Sequence, residues 1–179
     1  MQLEEVESRP DASVPSVASS WQAILNTIPV AAYTCDAAGQ IVYFNALAES
    51  VWGRAPPLRD ANERYCGSHQ LYLSDGTRIS HGQCWMALAL SEGTSCHGRE
   101  IVIERVDGSR TSGMAYVHPI RNVEGEVIGA VALVAEISAP ATEHVEPKRT
   151  PIPFNAVVAM IEVAVSVFAT LPWERSAFH

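Results

Sequence analysis

Residues 99–138, REIVIERVDGSRTSGMAYVHPIRNVEGEVIGAVALVAEIS, hold three strand-like runs separated by Asp107-Gly108 and Glu124-Gly125. Hairpin turns of this kind need positive φ, which Gly adopts without a Cβ penalty. The pattern predicts two successive β-hairpins, with strands over about 98–106, 110–120 and 126–137. In the last strand Val127, Gly129, Val131, Leu133 and Ala135 share one side, and Ile128, Ala130, Ala132 and Val134 the other. Both sides are apolar, so both must be shielded from water. One would close the domain's own core. The other needs an N-terminal helix or a second subunit, which makes a homodimer the expected assembly.

Upstream, DAAGQIVYFNALAESVWG (36–53) reads as the end of a strand, a Gly turn, a second strand and a helix. Strands are expected at about 30–35 and 40–45, and a helix over 46–52 that stops at Gly53. Asp36 suits the turn closed by Gly39, and Asn45 suits a helix cap. An earlier helix, capped by Ser19 or Ser20, runs to about Thr27 before Pro29. Trp21, Ile24, Leu25 and Ile28 lie at i, i+3, i+4 and i+7, which gives it one apolar face. Residues 54–81 read as loops and short helical turns. Residues 83–92 read as a helix stopped by Gly93.

With 179 residues and 47% apolar composition, the chain can form one domain with a packed core and tails. The net charge is −8, and the 12 Lys and Arg are scattered, which argues against a nucleic-acid surface. Glu4, Glu5 and Glu7 make the N-terminus acidic, unlike a secretory signal. Four cysteines do not make a disulfide framework, so reduced thiols in a cytoplasm are expected. There is no G-x-S-x-G elbow and no G-x-x-x-x-G-K-[ST] phosphate loop.

The order of these motifs resembles a PAS domain over about residues 20–138. The resemblance rests on Asp36, Gly39, Ile41 and Asn45, on Gly53, on Glu104 with Asp107-Gly108, and on Gly125 and Gly129. It ends at Glu136-Ile137-Ser138, which is similar to the Asp-Ile-Thr motif through which such domains pass their signal. The stretch YCGSHQLYLSDGTRISHGQCWMALAL (65–90) further resembles a bacterial subgroup found in sensor histidine kinases. The resemblance implies an α+β fold: a five-stranded antiparallel sheet with short helices on one face, flanked here by N- and C-terminal helical segments. It implies ligand or redox sensing, dimerisation and coupling to an effector. The flavin type needs a GxNCRFLQ-like helix and the haem type a helix His in a basic motif. Neither is present, so neither cofactor is expected. The chain also lacks a phosphoacceptor helix and ATP-binding boxes.

Tyr65, Trp85, Met86, Met114, Tyr116 and His118 are the candidate pocket residues. Met114, Tyr116 and His118 alternate along one strand and so share a face. If that face looks inward, they offer apolar walls with polar tips. The plainer account is a filled core. Cys66, His69, His81 and Cys84 have the spacing C-x2-H-x11-H-x2-C, a donor set that suits tetrahedral zinc. The competing account is packing, with Cys84 at a helix start and open to a lowered pKa and redox chemistry. Glu104 and Arg105 read as solvated strand-edge charges.

The organisation expected is a flexible tail over 1–18, a sensory domain over 19–138, a Pro-rich linker over 139–153 and an apolar helical tail over 154–179. Within that tail, 154–171 is almost wholly apolar, with Asn155, Glu162 and Ser166 on one helical face. A mid-helix carboxylate costs roughly 2.5–3.5 kcal/mol in a bilayer, so packing on protein is favoured over a membrane span. The function expected is a non-catalytic sensory module. Two alternatives stand beside it: the input portion of a sensor histidine kinase, and a metal- or redox-responsive switch built on Cys66, His81 and Cys84.

Overall fold

The computed structural model describes residues 17–137, together with residues 156 and 159 singly. The elements in chain order are α1 (Val17–Thr27), β1 (Ala31–Asp36), β2 (Ile41–Phe44), α2 (Ala46–Trp52), β3 (Gln70–Tyr72), β4 (Arg78–Ile79), α3 (Trp85–Glu92), β5 (Cys96–Glu104), β6 (Arg110–Arg121) and β7 (Val127–Glu136). A 3-10 turn at His81–Gln83 precedes α3. The expected N-terminal tail and Pro-rich linker, Ser138 and the apolar C-terminal helix lie outside the described residues, except that α1 already runs through Val17 and Ala18.

The strands form one antiparallel sheet in the order β2-β1-β7-β6-β5-β3-β4. The five expected strands are all present, but the sheet has seven. β3 and β4 pair with each other, and β3 also pairs with β5. They are three and two residues long, too short to show a period-2 pattern. The Asp75-Gly76 turn between them is built like the other hairpin turns. Gly76 has φ +84°, Leu73 N–H donates to Thr77 O at 2.8 Å, and Asp75 Oδ1 accepts from Thr77 N–H at 2.8 Å. The Asp107-Gly108 turn repeats this, with φ +82° at Gly108, Arg105 N–H to Ser109 O at 2.9 Å, and Ser109 N–H to Asp107 Oδ1 at 2.9 Å. The helix expected over 83–92 begins at Trp85, because Cys84 holds an extended conformation (φ −73°, ψ 168°) that separates it from the 3-10 turn.

Two apolar clusters lie on opposite sides of the sheet. The inner one joins Tyr33, Cys35, Ile41, Leu71, Ile101 and Ile103 to Trp52 of α2 and Met86 of α3. Trp52 meets Tyr33 and Phe44 edge-on at 5.0 and 5.6 Å. The outer cluster puts Trp21 and Leu25 of α1 against Ala32, Val42, Val131 and Leu133. Thus α1 shields part of the second face, as its apolar stripe requires. Among the described residues no helix is long and apolar enough to cross a membrane.

Asn45 connects the two layers. It caps α2 by accepting from Ala48 N–H at 2.9 Å, and the same Oδ1 accepts from Ala32 N–H at 3.0 Å. Its Nδ2 donates to Leu25 O and Val30 O, both at 2.9 Å. The side chain is 3% exposed, so each bond replaces water that cannot enter. Asn45→Ala is expected to lower unfolding free energy by about 2–4 kcal/mol in urea titration, because four buried backbone groups lose a partner. A loss below about 1 kcal/mol would show that the network does not hold α1 to α2.

Candidate functional site

Between the inner sheet face and the helices lies a cavity of about 30 Å³. Its floor is Ile101 and Ile103 of β5, Ala115 and Val117 of β6, and Ala132 and Val134 of β7. Its walls are Tyr33, Trp52, Cys66, Leu71, Cys84, Trp85 and Met86. The register explains the gap. Ala115 faces Val134 and Val117 faces Ala132 across β6 and β7, so each pair contains an alanine too short to reach the helices. At about 10–15 Å³ per water, the space suits two water-sized molecules. It is far smaller than the pockets that enclose large cofactors.

Of the expected pocket residues, Trp85 and Met86 line the cavity. They reach it because α3 starts directly after Cys84 and turns its first residues onto the sheet. Tyr65 packs beside the inner cluster, with φ +74° and its ring against Gly39, and does not line the cavity. Met114 and Tyr116 face the outer cluster. His118 lies on the same side, edge-on to His97 at 4.7 Å, with Nδ1 3.0 Å from Ser95 Oγ. The inward residues of β6 are therefore Ala115 and Val117. Both faces of β6 are largely apolar, so alternation reveals two faces without saying which one is inside. The small residues at 115 and 132 were the signal for open space.

The four candidate zinc ligands do not converge. Among the described residues no group of three or more His, Cys, Asp or Glu could hold a metal ion. Ser68 stands between two of the four. Its Oγ lies 3.2 Å from Cys66 Sγ and 3.2 Å from His81 Nε2. Residues 68, 69 and 70 alternate buried, exposed and buried, which turns His69 to solvent. Cys66, Ser68 and His81 thus form a hydrogen-bonded chain from the cavity wall outward.

Burial governs the ionisation of the thiols. Burial, reinforced by the neighbouring Cys66 sulfur, pushes Cys84 up to about 12 despite its position at the start of α3. Burial raises Cys66 too, offset in part by hydrogen bonds from Ser68. Cys35 and Tyr33 are raised strongly by burial and then by the neighbouring Cys66 and Cys84. All four cysteines are free. At neutral pH the wall is thus a set of uncharged O–H, S–H and N–H groups. Burial and nearby Arg54 hold His81 below its ordinary value, so it is neutral there as well.

The expected coupling residues sit at the end of β7. Glu136 Oε1 accepts from Thr111 Oγ1 at 2.9 Å, and Ile137 N–H donates to Ser112 O at 2.8 Å. Ile137 is 42% exposed, and Ser138 lies outside the described residues. Glu104, expected as a solvated strand-edge charge, instead lies on β5 between β3 and β6 and is held by Arg110 at 2.6 Å and by Tyr72 at 3.2 Å.

With Ellman's reagent under native conditions, Cys96, which is half-buried, should react first. Cys35, Cys66 and Cys84 should react at least about a hundredfold more slowly until denaturant is added. Equal rates at Cys84 and Cys96 would contradict the buried, protonated state.

A family described as PAS fold matches residues 25–142. No curated protein matches the chain in sequence. Among solved structures it is similar to the PAS domain of the fruit-fly ELK potassium channel, with a TM-score of 0.53 and 18% identity, covering 69% of this chain and 99% of that one. It is also similar to the RsLOV d2 variant, with a TM-score of 0.55 and 13% identity over 88% and 85% of the two chains. The Rhodobacter sphaeroides LOV protein matches with a TM-score of 0.51 and 10% identity over 85% and 95%.

Proposed function

The chain belongs to the PAS fold family, and on that premise we propose that it is a non-catalytic sensory module that reads occupancy of the cavity under Trp52 and Trp85. The observation that carries this reading is the cavity itself. It is lined by apolar side chains and neutral polar groups, with no charged residue in its walls. Such a site recognises a molecule by fit, since it has no activated nucleophile or charged acid–base pair for covalent chemistry.

The same strand connects the cavity to the expected output. Ala132 and Val134 line the cavity, and Glu136 is two residues beyond Val134 on β7. A ligand that pushes on Val134 displaces the strand whose end carries Glu136 and Ile137. The module would act as a homodimer on an effector, which we propose to be a sensor-kinase output domain because residues 65–90 resemble that subgroup. A cytoplasmic setting is part of the proposal and is supported by the four free thiols.

Xenon under a few atmospheres should shift the methyl resonances of Ile101, Ile103 and Val134 more than those of Leu25 and Leu133, which face the outer cluster. Ala132→Leu, which fills the space, should abolish that difference while retaining the native circular dichroism. Unmoved cavity methyls in the parent protein would remove the ligand-sensing reading.

Light scattering should report about twice the 19.4 kDa chain mass. A single-chain mass at 100 µM, on the order of a weak interface's Kd, would remove the homodimer.

A further inference from the structure

The wall of the cavity contains one donor without an acceptor. Trp85 lines the cavity, and its indole Nε1 is fully buried with no hydrogen-bond partner among the described residues. The Arg99 guanidinium carbon stands 5.9 Å from the ring centroid, which helps hold the indole in place. A buried N–H left unpaired is costly, and native proteins keep few of them. The other polar groups in the wall are Tyr33, Cys66 and Cys84. In their neutral forms each carries a donor hydrogen, and no carboxylate, amide or ammonium side chain is among them. A charged ligand would lose its hydration without a counter-charge, so the site selects against ions.

We propose that the cavity takes a neutral molecule of about three or four non-hydrogen atoms, apolar except for one hydrogen-bond acceptor such as a short ketone oxygen, which accepts from Trp85 Nε1–H. This rests on the sensory reading above and adds the chemical class of the ligand. The unoccupied space of about 30 Å³ holds about two waters, so a ligand of three or four atoms enters only as wall side chains give way, and anything larger is disfavoured. So few atoms limit the affinity, and a Kd tighter than about tens of micromolar is not expected. That range suits a sensor of an abundant small solute.

Acetone and isobutene test this as a matched pair, since they share a shape and differ in the carbonyl oxygen. In 15N–1H spectra of the full chain, acetone should move the Trp85 indole cross-peak downfield, while isobutene should shift the Ile101 and Val134 methyls without that indole change. Trp85→Phe should weaken acetone binding about three- to tenfold and leave isobutene binding within about twofold. If acetone moves the cavity methyls but not the Trp85 indole, or if Trp85→Phe leaves acetone binding unchanged, the acceptor assignment is overturned and the sensory cavity stands. If neither probe nor xenon perturbs the cavity methyls, the acceptor assignment and the cavity reading both fall.

Discussion

The carboxamide of Asn45 is the constraint on which the arrangement depends. Its two N–H donors go to Leu25 O and Val30 O, and its oxygen takes Ala32 N–H and Ala48 N–H. Every hydrogen-bonding position of a neutral amide is therefore filled, in a place water does not reach. Those four partners belong to α1, the α1–β1 connection, β1 and α2. One side chain thus sets where the outer helix ends and where the inner helix begins. The inner helix carries Trp52 into the cavity wall, and the outer one carries Trp21 and Leu25 onto the far face of the sheet. No other residue of the right length offers two donors and two acceptors in this geometry except by repacking its neighbours. Aspartate would keep the cap of α2 but lose the bonds to Leu25 O and Val30 O, and would bury a charge.

The sheet was legible in the chain where turn chemistry and strand length agreed. Asp107-Gly108 and Glu124-Gly125 separate strands of nine to twelve residues, and the hairpins there are as expected. Asp75-Gly76 forms the same turn, with the same side-chain bond to the backbone two residues on. Its strands are so short that the turn alone had to announce them. The lesson is that a turn with a complete hydrogen-bonding pattern is itself a strand signal, even where periodicity has no room to appear.

The faces of β6 were less legible, for a physical reason. In a half-buried strand polarity marks the outside, and the inner face follows at once. β6 has helices over its inner face and apolar packing on its outer face, so polarity marks neither. Met114 and Tyr116 look like pocket residues because they are large and partly polar, yet they pack with the outer cluster. The cavity instead adjoins Ala115 and Ala132, where side chains are too small to fill the layer. Other residues around it, Tyr33, Leu71, Ile101 and Ile103, come from three strands brought together only by the sheet order. No local pattern along the chain encodes that convergence.

In the Cys and His cluster, too, spacing says nothing of direction. Cys66 and Ser68 turn inward, His69 turns out, and His81 meets the Ser68 hydroxyl. Burial raises Cys66 and Cys84, which favours their protonated forms at neutral pH. Low polarity also lets a small change in contact matter. Filling the gap between Val134 and Trp52 adds dispersion contacts on both sides of a space that otherwise has none. The free energy comes from packing, and β7 is the element best placed to pass it on, because it pairs with both β1 and β6 at the middle of the sheet. A shift there alters two ladders at once, whereas a shift at the short β4 edge would alter one.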